Sequence, residues 1–418
     1  MRTCCILIIC LSTVMVVSAE DINPSSPPAS SGVEVAKLGS GKSFSFDDFG
    51  VVVAISEDQR TVVVGAPGWG SGEAIGAAYV FVEPPGGWTS TARYTAKLTN
   101  GRNNRNDGFG EAVGISGNAI VVGAPGVLQQ EGPYGAAYVF VRPMSGWETT
   151  SKFAAELTGP QAEGLQGAFG QSVAIDSTTV AIGGAQNAAG AGVVFVFAEG
   201  EGGWAGAEPI AELSASDGFQ GDDFGTSIAA DGQTIVVGAM QNDSSQGPGA
   251  GEGYVFIEPR GGWTNGTETA RLKASDGQKF DKFGISASVS GNTVVIGAWE
   301  LNVGAGAAYV FVEPSTGWTD TTETAKLTAN GAGINAEFGY ATSIRGNTIF
   351  AGAPGVAEGF EFVKPSDGWK NTSQFRAKFG PDDGSLFGQS LSFQGNTLVV
   401  GSAGHKDTSP GAAFVIRH

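Results

Sequence analysis

The sequence predicts an all-β fold, a seven-bladed β-propeller of four-stranded antiparallel blades whose ring is closed by the N-terminal strand. Three observations predict it. Phe-Gly pairs recur at Phe49, Phe109, Phe169, Phe224, Phe283, Phe338 and Phe387, at intervals of 60, 60, 55, 59, 55 and 49 residues, and a period of this length marks a repeat architecture. Each unit reads as four short segments rich in Val, Ile, Phe and Thr and bounded by Gly, Asn or Asp, which is the pattern of strands. The chain ends also complement each other. The seventh unit stops after GAAFVIRH without a fourth segment, while VEVAKL at Val33–Leu38 precedes the first Phe-Gly and matches the AKL of a fourth segment.

Taken in order, residues 1–19 read MRTCCILIICLSTVMVVSA, with Arg2, an apolar run and the small-residue site Val17-Ser18-Ala19. This is the pattern of a secretory signal peptide. Cys4, Cys5 and Cys10 all fall inside it, so the chain from Glu20 onward is expected to carry no disulfide. Residues 20–32, EDINPSSPPASSG, are too rich in Pro and Ser to build a core and read as a linker. No later stretch approaches the roughly 20 apolar residues of a membrane span. A secreted, extracellular monomer without membrane insertion is expected, with the propeller occupying residues 33–418.

Within a unit the second segment is an apolar run ending in small residues, as in TVVVGAPG at Thr61, AIVVGAPG at Ala119 and TVVIGAW at Thr293. Between the first and second segments lie Gly-Asn pairs at Gly117, Gly291, Gly346 and Gly395, suited to a tight hairpin. These two segments are therefore antiparallel neighbours. The runs are apolar without alternation, as expected for sheets covered on both faces. A third segment follows, GAAYVFVEP at Gly76 and at Gly306, then a tryptophan at Trp88, Trp147, Trp204, Trp263, Trp318 and Trp369, and a fourth segment such as TAKLT at Thr95. The repeated Phe and Trp are read as core and edge packing.

Phe-Gly, an apolar strand and then Gly-Ala-Pro, literal at Gly65, Gly123 and Gly352, resembles the FG-GAP repeat of the integrin alpha-chain propeller and its bacterial and algal relatives. The resemblance spans residues 33–418. It implies a seven-bladed propeller displayed outside cells that serves adhesion or ligand binding, without implying one ligand. The calcium loops of several integrin blades are not carried over. They need alternating acids between the first and second strands, and here that connection is a tight turn. The acids just before Phe-Gly, Asp47, Asp48, Asp107, Asp222, Asp223 and Asp281, are read as turn caps in preference to a cation site at the rim.

Composition narrows function. A net charge of -18, from 41 acidic and 23 basic residues, argues against nucleic acid or an anionic membrane as partner. With only His405 and His418 and no cysteine after the leader, a nucleophile-histidine arrangement or a histidine metal site is not expected. The reading is a non-enzyme without cofactor or metal, a binding or adhesion module for an extracellular protein or glycan. The alternatives are a glycan-active hydrolase or lyase using a carboxylate pair and a structural matrix protein. Strand direction puts the second-to-third and fourth-to-first connections on one face, where loop length varies most and binding is expected. Trp69 and Trp299 in those loops are the candidate ligand-binding residues. Asn242, Asn265 and Asn371 head glycosylation sequons. The last two share one position, two residues after a tryptophan, on the opposite face.

Overall fold

The structure, a computed structural model, describes residues 33–41, 47–68, 75–102, 106–127, 134–160, 166–186, 190–241, 250–381, 385–404 and 411–418. The leader and linker expected at residues 1–32 lie outside them. The fold is all-β. In unit one, Val53–Ile55, Thr61–Ala66, Ala77–Val82 and Ala96–Leu98 pair in order as an antiparallel meander. The same order runs through Val113–Ser116, Ala119–Ala124, Tyr134–Val141 and Ala155–Leu157 in unit two, and through Gln166–Asp176, Thr179–Gln186, Gly192–Ala198 and Ala211–Ser214 in unit three. Unit four uses Phe224–Asp231, Thr234–Ala239, Glu252–Ile257 and Ala270–Lys273, and unit five Phe283–Ser290, Thr293–Ala298, Ala307–Val312 and Ala325–Leu327. Unit six comprises Thr342–Arg345, Thr348–Ala353, Glu358–Val363 and Ala377–Phe379.

Unit seven supplies only Leu386–Gln394, Thr397–Ala403 and Ala412–Arg417; the fourth place is taken by Val33–Leu38, antiparallel to the last of these, with Leu38 opposite Ala413 and Val33 opposite Arg417. Leu38 is fully buried there and Ala36 nearly so.

Every residue of Thr61–Ala66, Ala119–Ala124 and Thr293–Ala298 is buried, as a strand covered on both faces requires. On the third strand, alternate side chains share a face. In units one to six that face carries aromatics two residues apart, and the Phe of Phe-Gly packs against them. Phe49 meets Tyr79 and Phe81 at 5.4 and 6.2 Å, and Phe224 meets Tyr254 and Phe256 at 5.2 and 6.1 Å. All seven of these phenylalanines are buried, and so are the six repeated tryptophans. Replacing Phe224 with Ala is expected to cost about 3 to 5 kcal/mol in chemical denaturation. A loss below about 1 kcal/mol would place the ring at a surface.

Neighbouring units meet where a side chain would not fit. The Gly of each Phe-Gly has positive φ, 93° at Gly50 and 88° at Gly339. Its carbonyl oxygen faces the Gly that opens the Gly-Ala-Pro position of the preceding unit. A Cβ added to Gly297 would lie 1.8 Å from the Gly339 oxygen, and one on Gly352 1.9 Å from the Gly388 oxygen. The same approach joins unit seven to unit one, where a Cβ on Gly401 would lie 2.3 Å from the Gly50 oxygen. The two sequence signatures are therefore halves of one contact made between different repeats.

Two further sets of bonds cross these junctions. At the first-to-second turns, a side chain of one unit accepts a backbone N–H of the next: Glu57 from Gly117 at 3.1 Å, Ser116 from Ser177 at 3.0 Å, Asp176 from Gly232 at 2.5 Å, Asp231 from Gly291 at 2.5 Å and Ser290 from Gly346 at 3.1 Å. Between units seven and one the turn bond runs the other way, Gln59 of unit one accepting from Asn396 of unit seven at 3.1 Å, while Ser392 of unit seven accepts the Ile55 N–H of unit one at 3.1 Å. At the outer edge, the fourth strand of one unit runs parallel to the segment after the tryptophan of the next. Leu98 pairs with Thr150, Leu272 with Thr321 and Leu327 with Thr372, and Leu38 pairs with Thr91 in the same way. First strands of all seven units line one cavity of about 230 Å³.

Candidate binding face

The connections leading into the Phe-Gly pairs are built on buried acids. Asp222 and Asp281 are nearly inaccessible, and each accepts the backbone N–H three residues earlier, Phe219 at 2.6 Å and Gln278 at 2.7 Å. Asp107 accepts from Asn100 Nδ2 at 2.8 Å, and Asp47 Oδ1 accepts the Phe49 N–H at 3.4 Å. These are the bonds of side-chain-capped turns. Among the described residues no group of three or more His, Cys, Asp or Glu is placed to hold a metal ion. Burial, with the Asp276 charge adding to it, holds the Asp281 carboxyl above the usual carboxylate range, while the bond from Gln278 opposes the shift.

The same connections are tied down at their bases. Asp217 accepts from the Tyr254 hydroxyl at 3.0 Å and from Arg271 at 2.9 Å. Asp276 accepts from Tyr309 at 2.9 Å and from Lys326 at 2.5 Å. Burial works against ionisation of Asp276, but the bonds from Lys326 and Tyr309 outweigh it and hold the carboxyl below its ordinary range. What these rigid turns present is apolar. Phe219 is 68% exposed and Phe280 57%.

Next to them, the second-to-third connection of unit five forms a tight turn at Leu301–Gly304, in which Val303 is 76% exposed; the connection into unit six exposes Ile334 at 69%. Backbone bonds join these segments into one surface: Glu300 N–H to Asp281 O at 3.3 Å, Asn335 N–H to Val303 O at 3.2 Å and Glu337 N–H to Gly304 O at 2.7 Å. Left-handed backbone is concentrated here, at Phe280 (φ 74°), Lys282 (58°), Asn302 (53°), Val303 (62°), Asn335 (60°) and Glu337 (59°). For a β-branched residue such as Val303 that conformation is strained, and strain of this kind gathers at functional sites.

Trp299 follows Gly297-Ala298 on this face. It is half-buried and packs edge-on against Tyr340, with centroids 6.0 Å apart. Tyr340 directly follows Phe338-Gly339. Burial, then the charges of Glu337 and Glu111, raise its phenol above the ordinary range, while a hydrogen bond with Gln389 opposes the shift. Residues of units six and seven thus meet at Tyr340, the ring on which Trp299 rests. The other tryptophan selected from the sequence, Trp69, lies outside the described residues, as does Asn242.

The remaining two sequons are on the opposite side. Asn265 and Asn371 are exposed, and each Oδ1 accepts a backbone N–H from the fourth strand of the preceding unit, Glu212 at 2.9 Å and Lys326 at 2.8 Å. Ser90, Thr149 and Asp320 do the same at the equivalent position, accepting from Lys37, Lys97 and Arg271 at 3.0, 3.1 and 2.9 Å. The position is an inter-unit staple that any short oxygen-bearing side chain satisfies. A glycan bonded to Nδ2 would leave the accepting Oδ1 in place.

Sequence reasoning chose tryptophans and missed Phe219, Phe280, Val303 and Ile334. The available signal was an apolar side chain set among Gly, Asp and Asn in connections where unit two has only Arg102 to Asp107.

A family model described as FG-GAP repeat matches residues 33–81, 93–140, 208–256 and 267–311. The chain carries FG-GAP repeats. Each matched FG-GAP stretch begins at the fourth strand of one unit and ends in the third strand of the next, so the sequence repeat straddles two units. The first match starts at Val33 and enters unit one after serving unit seven. FG-GAP repeats occur in the propeller domains of adhesion and binding proteins. No curated protein matches the chain. No helix among the described residues is long and apolar enough to cross a membrane.

Proposed function

We propose that the chain is a seven-bladed propeller, closed into a ring by Val33–Leu38, and that it acts outside the cell as a secreted binding or adhesion module without enzymatic activity. Support for the ring comes from the cavity lined by first strands of all seven units and from the glycine contact and outer bridge that unit seven and unit one share with other junctions. Its partner, an extracellular protein or a glycan, docks on the face of the second-to-third and fourth-to-first connections. The observation that carries this reading is the set of exposed apolar side chains on strained, tightly capped turns beside Trp299. Such a surface is costly unless it is covered by a partner.

The test is to screen the protein against a panel of glycans and extracellular proteins, with and without calcium. Saturable binding that weakens about tenfold or more in Trp299→Ala is expected, as for an aromatic anchor. Absence of saturable binding across the panel, or binding indifferent to every substitution on this face, would remove the proposal.

A second reading rests on one observation. Burial and the neighbouring Glu300 charge raise the Glu337 carboxyl, whose backbone oxygen accepts the N–H of Tyr340, the ring packed on Trp299, and a raised carboxyl beside a second acid serves as the general acid of glycoside chemistry. Polysaccharide turnover lost in Glu337→Gln would favour that glycan-active enzyme over the module.

A further inference from the structure

The apolar band on the binding face is electrically polarised. At one end Lys279 and Lys282 flank Phe280, and the Lys279 ammonium stands 4.6 Å from the centre of the Phe280 ring. On a chain with 41 acidic and 23 basic residues, this puts two cations beside an exposed aromatic. Glu300 sits beside Asp281 through its backbone N–H, and at the other end Val303 and Ile334 lie next to Glu337, through the backbone bonds Glu337 N–H to Gly304 O and Asn335 N–H to Val303 O. A uniformly anionic ligand, such as an acidic polysaccharide or a lipid surface, would be attracted at Phe280 and repelled at Glu337. Aliphatic side chains such as Val303 and Ile334 also offer no flat face on which a sugar ring could stack.

We infer that this band takes a protein segment of matching polarity, with apolar side chains lying over Phe280, Val303 and Ile334, an acidic group at Lys279 and Lys282, and a basic group at Glu337. The inference rests on the binding-module reading and narrows its partner to protein. The turns are already fixed, Phe280 by the Asp281 cap and by Asp276 at the base of its connection, and Val303 by its bond to Asn335. Little ordering remains to be done when the partner arrives. The charge pattern then sets the direction in which the segment lies.

The probes are three blocked synthetic peptides with the same apolar centre: one with an acidic and a basic end, one with two acidic ends and one with two basic ends, titrated against the full chain. The bipolar peptide is expected to bind at least tenfold tighter than the other two, with the margin shrinking as salt is added. Val303→Asn and Phe280→Asn should each weaken it tenfold or more without lowering the melting temperature, because Asn accepts left-handed backbone more readily than the residue it replaces. Lys279→Glu combined with Lys282→Glu should shift preference to the peptide with two basic ends, a reversal that loss of folding cannot produce. Equal binding of all three peptides, or none, overturns the inference. If the glycan and protein panel still yields binding lost in Trp299→Ala, the module reading survives that failure; if it does not, both fall. Self-association abolished by Phe280→Asn would make a second copy the occupant and would equally overturn it.

Discussion

Removing residues 33–40 is expected to destabilise the whole molecule in a single transition, by about 5 kcal/mol or more, and not merely to fray one edge. The deletion takes away Ala36 and Leu38, both buried, and the ladder along Ala412–Arg417. Full burial of a side chain the size of Leu is worth roughly 1.5 to 3 kcal/mol, and the lost ladder and the bridge from Leu38 to Thr91 add to it. The bared edge of Ala412–Arg417 should also drive concentration-dependent association. Thermal melts of the truncated and intact chains, with and without a peptide spanning residues 33–40 supplied in trans, would measure this. An unchanged midpoint would remove the proposed closure, and with it the assignment of a common binding face.

Gly297→Val should rank with that deletion. The added Cβ would stand 1.8 Å from the Gly339 carbonyl oxygen. The obstacle is backbone held by its own sheet, so it cannot swing aside as a flexible side chain would. We expect a loss of about 4 kcal/mol, the range in which overpacking becomes exceptional. Gly346→Ala is the matched control. It has positive φ, 56°, but nothing within 4 Å of a new Cβ, so only conformational strain of about 1 to 2 kcal/mol is expected. Equal losses in the two variants, read from denaturant midpoints, would mean that the units are not pressed together at Gly297.

The strands were legible because their signals are local. The Gly117-Asn118 turn falls between strands ending at Ser116 and beginning at Ala119, and turn chemistry of that kind acts within a few residues. The pairing of Val33–Leu38 with Ala412–Arg417 could be read for a different reason: one unit lacked a segment and the other end of the chain carried a copy of it. The reason for the glycines could not be read. Gly65 must be bare because of the Gly110 oxygen, and no spacing rule within one repeat names that partner. For the same reason the binding face was only half visible. Trp299 stood out by residue type, yet it is braced against Tyr340 of the next unit. Val303 and Ile334 come together through Asn335, in a different connection, and look unremarkable one at a time.

The glycine contacts also govern how many copies of the repeat the proposed ring admits. Carbonyl oxygen against bare Cα sets the closest distance to which neighbouring sheets can approach at one edge, and thereby the wedge angle each occupies about the axis. A larger residue there, shared by all copies, would change every wedge, and a full circle would then close with a different number of members. Copy number is therefore a property of the seam between repeats, and a lineage could gain or lose whole repeats only by retuning that seam throughout the circle at once.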